Sequence, residues 1–157
     1  MPGRRRNEGR EHPDVRGCRD ARADDATDDY GLLCEFATRY RPHRALFDAA
    51  TFPGVLAAVG KGPAEFPIVE SDGQVAGYAL SARMPTLFAG GTVLELLELV
   101  VHEALRGGGL GSLLVRETLT QATRAGDAEV VVPTRRAVDF SRHLGFVETI
   151  TSLKVVP

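Results

Sequence analysis

One stretch, from Thr92 to Ala125, leaves this chain few folds to choose from. An apolar run from Val93 to Val101 passes through a short polar loop, His102 to Leu105, into Arg106-Gly107-Gly108-Gly109-Leu110-Gly111. An amphipathic helical pattern follows at once, with its stripe at Gly111, Leu114, Val115, Thr118, Leu119 and Ala122 and a stop at Gly126. The segment L-E-L-L-E-L fits either a helix or a strand. Its length, the Gly90-Gly91 pair before it and the closing Leu99-Val100-Val101 decide for strand. Simple alternation then puts Glu95 and Glu98 on opposite faces, and at least one of them should line a cleft, because a carboxylate in a central strand is costly unless paired or wet. Strand, glycine-rich turn and helix in that order build an anion site. Glycine reaches positive φ cheaply, so successive N–H groups can turn toward one phosphate, and the helix adds its free N–H groups and the positive end of its dipole.

The remainder of the chain supplies elements around this centre. Met1 to Arg16 is polar, with Arg4-Arg5-Arg6, and reads as a disordered tail before a single domain over 17–157. A short first strand falls within Val15 to Ala23. Asp24-Asp25 offers an N-cap, and Leu32, Leu33, Phe36 and Tyr40 give a helix over about 26–39. A second helical region covers 45–59, interrupted near Thr51-Phe52-Pro53, where Thr51 caps a fresh turn. Strands at 66–70 and 74–83 flank Ser71-Asp72-Gly73, a hairpin signal, with Pro67 confined to an edge or an opening position. A loop runs from Met84 to Gly91. After the central helix come a strand at 129–132, a helix at 136–144 stopped by Gly145, and a strand or hairpin at 146–156.

Which phosphate ligand the loop takes is a matter of spacing. A Walker A loop needs a Lys after its last glycine, and none stands there. A dinucleotide fingerprint counted from Gly107 or Gly109 would place its third glycine on Ser112 or Leu114. What fits is R-x-x-G-x-G, as Arg106, Gly109 and Gly111. This resembles motif A of the GNAT-type N-acetyltransferases. A second stretch, Ala137 to Phe146, is similar to the superfamily's A-x-x-F/L-Y-x-x-x-G-F, and the two motifs stand in the order and at the separation that a crossover helix and strand require. The resemblance covers roughly the last two-fifths of the chain.

The resemblance implies an α/β (α+β) fold: a mixed, mostly antiparallel sheet of about six to seven strands flanked by about four helices. It implies acetyl-CoA as cosubstrate, a primary amine as acceptor and a protein acting as monomer or homodimer. By resemblance the coenzyme's pantetheine arm lies along Leu99, Val100 and Val101. Its diphosphate rests on Arg106, Gly107, Gly108, Gly109, Leu110 and Gly111, with Ser112 at the helix start and Thr134 after the fifth strand, where the family often has Asn. Arg135-Arg136 either touch the coenzyme's 3′-phosphate or face water. Glu98, with Glu95 as rival, is the candidate base. The acceptor is expected against the first two helices and the 84–91 loop, where Asp24, Asp25, Asp28 and Asp29 either draw in a cationic amine or simply suit a helix N-terminus.

The Tyr credited in the family with protonating the departing thiolate is Ser141 here. General-acid help is worth about 10²–10⁴-fold, whereas holding amine and thioester in line supplies about 7–11 kcal/mol. A thiolate whose parent thiol titrates near pH 8–9 is a tolerable leaving group without a donor. A slower enzyme is therefore expected, against the alternative of a coenzyme-A-binding module with little turnover. Composition narrows the rest. A formal net charge of −2 speaks against nucleic acid, and no apolar run is long enough to span a bilayer. Met1 to Arg10 is basic without a following apolar segment, so the cytosol is the expected compartment. Two isolated cysteines and four scattered histidines predict no metal site; His102 and His143 read as surface residues.

Overall fold

The computed structural model describes residues 17–36, 41–134 and 137–148. The expected N-terminal tail, Arg135-Arg136 and most of the final strand or hairpin lie outside them. In chain order the elements are β1 Arg19–Asp20, α1 Ala26–Phe36, α2 Arg44–Leu46, α3 Phe52–Ala57, β2 Ala64–Glu65, β3 Pro67–Ser71, β4 Gln74–Pro85, β5 Thr92–Val101, α4 Leu110–Ala125, β6 Glu129–Val131 and α5 Val138–His143. A π-helical turn, Phe47–Thr51, joins α2 to α3 without a break. Thr51 therefore sits inside helical backbone and makes no cap bond, contrary to its expected role. Nor do Asp24 and Asp25 cap α1: they belong to a 3₁₀ turn, Ala23–Asp25, in which the Asp25 carboxylate accepts from the Arg22 N–H at 2.6 Å.

Among the described residues the sheet has six strands, in the order β1-β3-β4-β5-β6, with β2 paired to β4. Every pairing is antiparallel except β5 with β6. The two faces carry separate cores. On one, α1 to α3 bury Leu32 beside Phe47, Phe52, Phe66 and Tyr78, the four rings meeting edge-on or tilted in a continuous row. On the other, α4 packs Leu110, Leu114 and Val115 onto Val69, Ala79 and Leu96, with Phe140 and Leu144 of the α5 region at the margin.

Two departures from regular sheet geometry position everything functional. The first is a bulge. Leu80 pairs with Glu98 but Ser81 pairs with Leu96, so β5 holds one extra residue, Leu97, against β4. Leu80 and Ala82 lie two apart on an unbulged strand and share a face; their partners Glu98 and Glu95 must then share it too. The expectation that these glutamates point oppositely is thus overturned, because the inserted residue shifts the alternation by one. The second departure is a parting of strands. β6 pairs with β5 only over Val93↔Glu129, Leu94↔Val130 and Glu95↔Val131, so beyond the bulge β5 keeps one edge unpaired among the described residues.

The closed end of that opening is clamped. Arg83 of β4 donates to Asp127 through Nε at 2.8 Å and to Glu65 through Nη1, and Thr92 Oγ1 donates to Asp127 at 2.6 Å. At the open end the helix approaches β4 closely over Gly77. A Cβ there would lie 2.6 Å from the Val100 carbonyl oxygen and 3.3 Å from Leu114 Cδ1. Gly77→Ala is expected to destabilise the protein by about 1–3 kcal/mol, because rigid backbone rather than a mobile side chain must yield; denaturant unfolding measures the shift.

Candidate functional site

The parted edge of β5 is the first component. The His102 N–H is given to the Ala76 carbonyl on β4 at 2.9 Å, so by alternation Val100 and Glu98 also turn their polar backbone groups to β4, while Leu99 and Val101 turn theirs to the opening. Val100 is buried and contributes its side chain to the α1–α3 core rather than a backbone group to the cleft. The Val101 carbonyl accepts instead from Arg106 Nε at 3.0 Å, a contact that folds the arginine back over the edge.

The loop comes next. Gly107 and Gly109 have φ of 81° and 89°, values at which any side chain would be strained, and an added Cβ at either would meet nothing within 4 Å. Within the loop, the Arg106 and Gly108 N–H groups make long turn bonds to Glu103 and Leu105, at 3.3 and 3.4 Å. Among the described residues the N–H groups of Gly107 and Gly109 make none. Nor do those of Leu110, Gly111 and Ser112, the first three residues of α4, whose first spanning bond is Leu113 N–H to the Gly109 carbonyl. Five donors are therefore unspent on one short stretch, at the positive end of a 16-residue helix. Gly111 lets α5 close in: a Cβ there would sit 3.4 Å from Phe140 Cζ.

On α5, Ser141 is only 8% exposed, and its N–H and carbonyl are used by Ala137 and by Phe146. Thr134 has a structural task, its Oγ1 accepting from the Ala137 N–H at 3.0 Å at the approach to α5. His102 is half-exposed, its Nδ1 accepting from the Ala104 N–H and its Nε2 3.4 Å from Glu35. His143 Nδ1 lies 2.6 Å from the Asp139 carbonyl on the surface of α5. Among the described residues no group of three or more His, Cys, Asp or Glu side chains is placed to hold a metal ion.

A third component lies on the α1–α3 face. Glu98 Oε2 accepts from the Tyr78 hydroxyl at 2.8 Å, and both residues line a small cavity with Asp29. Asp29 is 2% exposed, and neither of its carboxylate oxygens has a hydrogen-bond partner. Burial first, then the nearby charges of Asp25 and Asp28, push its carboxyl up to about 7. Burial and the Glu98 charge likewise raise the Tyr78 phenol, so it stays a donor. By contrast Asp25, one helical turn earlier, is satisfied. Burial would raise it, but a two-pronged bond from Arg19, at 2.8 and 2.9 Å, and the Arg22 N–H hold it below its ordinary value. In the sequence Asp29 is one of four acids, with Asp24, Asp25 and Asp28. The signal that singles it out is its place three and four residues before Leu32 and Leu33, on the apolar stripe of α1.

With this geometry described, the comparisons with known proteins fall into place. The sequence profile of the acetyltransferase (GNAT) family matches residues 24–146. An acetyltransferase from Trypanosoma brucei superimposes with a TM-score of 0.77 at 19% identity, over 92% of this chain and 100% of that one. Glucosamine-6-phosphate N-acetyltransferase from Arabidopsis thaliana gives 0.78 at 15% identity, over 90% and 97%. Ribosomal-protein-alanine N-acetyltransferase from Brucella melitensis gives 0.70 at 19%, over 91% and 98%. These likenesses are of fold. No curated protein sequence matches the chain.

The buried acid yields a prediction with a definite sign. A carboxyl whose folded pKa lies near 7, above its unfolded value near 4, keeps its proton on folding, so stability falls as pH rises from about 4 to 7 and levels off above. Asn cannot ionise. Asp29→Asn is therefore expected to gain stability over the unsubstituted chain at pH 8 and little or none at pH 4, read by thermal unfolding across that range.

Proposed function

Because the chain belongs to the acetyltransferase (GNAT) family, we propose that it transfers an acetyl group from acetyl-CoA to a primary amine by direct attack in a ternary complex. One observation carries this reading: an unpaired strand edge leads straight into a loop and helix start with five unspent N–H donors. Such a row suits a diphosphate, since hydrogen bonds to a charged acceptor are roughly twice as strong as neutral ones. The open edge suits the amides of the pantetheine arm, which add to it as a further strand would. Arg106 leaves the Val101 carbonyl as that arm enters, and its guanidinium is then free for phosphate.

The chemistry follows from what lies on either side of the edge. Coenzyme A supplies the thioester. Glu98 stands one residue before Leu99, on the face opposite α4, and takes a proton from the incoming ammonium, directly or through water. The freed amine nitrogen forms the new C–N bond to the acetyl carbon, the C–S bond breaks, and the sulfur leaves with the electron pair. The amine's second proton ends on that sulfur or on solvent. Tyr78 holds the Glu98 carboxylate in place through its 2.8 Å bond. Ser141, which packs where the family often has Tyr, is too short to deliver a proton as a phenol does, so the thiolate departs largely unaided. That same feature favours a second reading, a module that binds coenzyme A without useful turnover.

Thiol release with a panel of primary amines separates the two: release above the hydrolytic background with at least one amine supports the transferase, and coenzyme binding without release with any of them supports the module. Acetyl-CoA at about 100 times its dissociation constant should add about 2.7 kcal/mol of stability. Gly109→Glu, which sets bulk and negative charge against the diphosphate, is expected to erase that ligand-induced shift while also lowering the unliganded melting temperature. Ser141→Tyr is expected to raise kcat within the range of general-acid help, about 10²–10⁴-fold at most, without moving the coenzyme's dissociation constant.

A further inference from the structure

We propose that Asp29 seats the ammonium group of the acceptor, and that the acceptor is a primary amine on a slim, uncharged, apolar stem. The inference rests on the transferase reading and adds the substrate class to it. The cavity beneath α1 holds about 60 Å³, room for an amino group and the first carbons behind it. Its ionisable lining is acidic and phenolic, from Asp29, Glu98 and Tyr78, the Thr51 hydroxyl is the other polar group, and apolar walls include Leu33 and Val55.

Charge balance argues for a cationic guest. The charges acting on Asp29 are Asp25, Asp28, Glu98 and Arg19, the one cation among them. Arg19 is already committed: its guanidinium binds Asp25 at two points and Glu70 as well. A buried carboxylate with no partner is unfavourable by the rule that buried polar atoms are paired, and no described residue donates to it. An ammonium carries three donors and no acceptor. Asp29 Oδ1 and Oδ2 are unbonded, Glu98 Oε1 takes no hydrogen bond from the described residues, and both residues line the one cavity. A neutral hydroxyl would leave the charge unbalanced. A second charge on the stem would meet apolar walls, and a carboxylate there would also meet the acidic surroundings.

The seat and the reacting edge adjoin through Glu98. Its side chain lines the cavity, while the next residue, Leu99, turns its backbone to the opening between β5 and β6. Asp29 is thus a positioning residue that orients the nitrogen for Glu98. Because its carboxyl titrates near 7, amine affinity should rise as pH rises through that value and the carboxylate forms.

The test uses the full chain and three probes of four carbons each: n-butylamine, butan-1-ol and 4-aminobutanoate. Calorimetry on the unsubstituted protein should show n-butylamine binding at least 10-fold more tightly than either of the others. Asp29→Asn should weaken n-butylamine by 10–100-fold and flatten the pH dependence of its KM, with the melting shift caused by acetyl-CoA unchanged. Equal binding of the three probes, no binding of n-butylamine, or an unchanged affinity in Asp29→Asn overturns the proposal and leaves the cavity as a place for water. Should the variant not fold, the three-probe comparison on the unsubstituted chain decides alone. Failure of the underlying reading looks different: n-butylamine then binds through Asp29, yet no amine releases thiol from acetyl-CoA.

Discussion

The extra residue in β5 is the constraint on which the rest depends. Without Leu97 opposing no residue of β4, Glu95 and Glu98 would alternate across the sheet. With it, the strand bends and twists. Both glutamates come to the α1–α3 face, and among the described residues no strand pairs with the outer backbone edge of Leu99 and Val101. The Arg83–Asp127–Glu65 cluster fixes the other end, tying β4, β2 and the turn before β6 together. The opening is therefore a hinge held at one end and bulged in the middle, and its width is set by backbone geometry rather than by any side chain of the site.

This explains why two chemically opposite sites sit so close together. An electropositive backbone lies on the α4 side, where bare N–H groups and a helix dipole favour anions. Acidic side chains lie on the α1 side. One strand separates them, and it is the strand whose edge is free. Elsewhere the fold neutralises its buried acids with care: Asp25 by Arg19, Asp127 by Arg83, each at 2.8–2.9 Å or so along the main contacts. Asp29 is the exception, close to that solution and excluded from it because Arg19 is spent. Ionising an unpaired buried carboxyl is costly, which is why burial pushes Asp29 up to about 7, and such costs concentrate where function needs them.

Most of this was legible in the sequence where periodicity is strong and glycine marks a backbone requirement. The Thr92–Val101 strand, the loop and the α4 stripe follow from residue pattern, and the two motifs bring the fold with them. What escaped the reading has physical reasons. The N-cap expected at Asp24-Asp25 failed because Asp25 had a stronger partner in Arg19, fifty-one positions before Glu70, which it also binds, and only tertiary structure brings these together. Thr134 Oγ1 holds the Ala137 N–H, and Val100 turns its backbone to β4; which edge of a strand faces outward is something no local pattern states.

The bulge itself left a mark that simple alternation misreads. In L-E-L-L-E-L the doubled leucine is what makes a helix thinkable, since it breaks period two. Taken as a strand with a phase slip, the same doublet says that Leu96 and Leu99 share one face and Glu95 and Glu98 the other, with Leu97, 48% exposed, as the residue left over. A helix and a bulged strand thus compete for one signature, and they are separated by what the pattern would bury. A helix over these residues would bring its two glutamates to one stripe and present leucine all round, with no neighbour to cover it. A bulged strand brings the glutamates to one face as well, but gives every leucine save one a core to enter. The doublet therefore encodes the site: the slip that aligns the acids is also what frees the edge beside them.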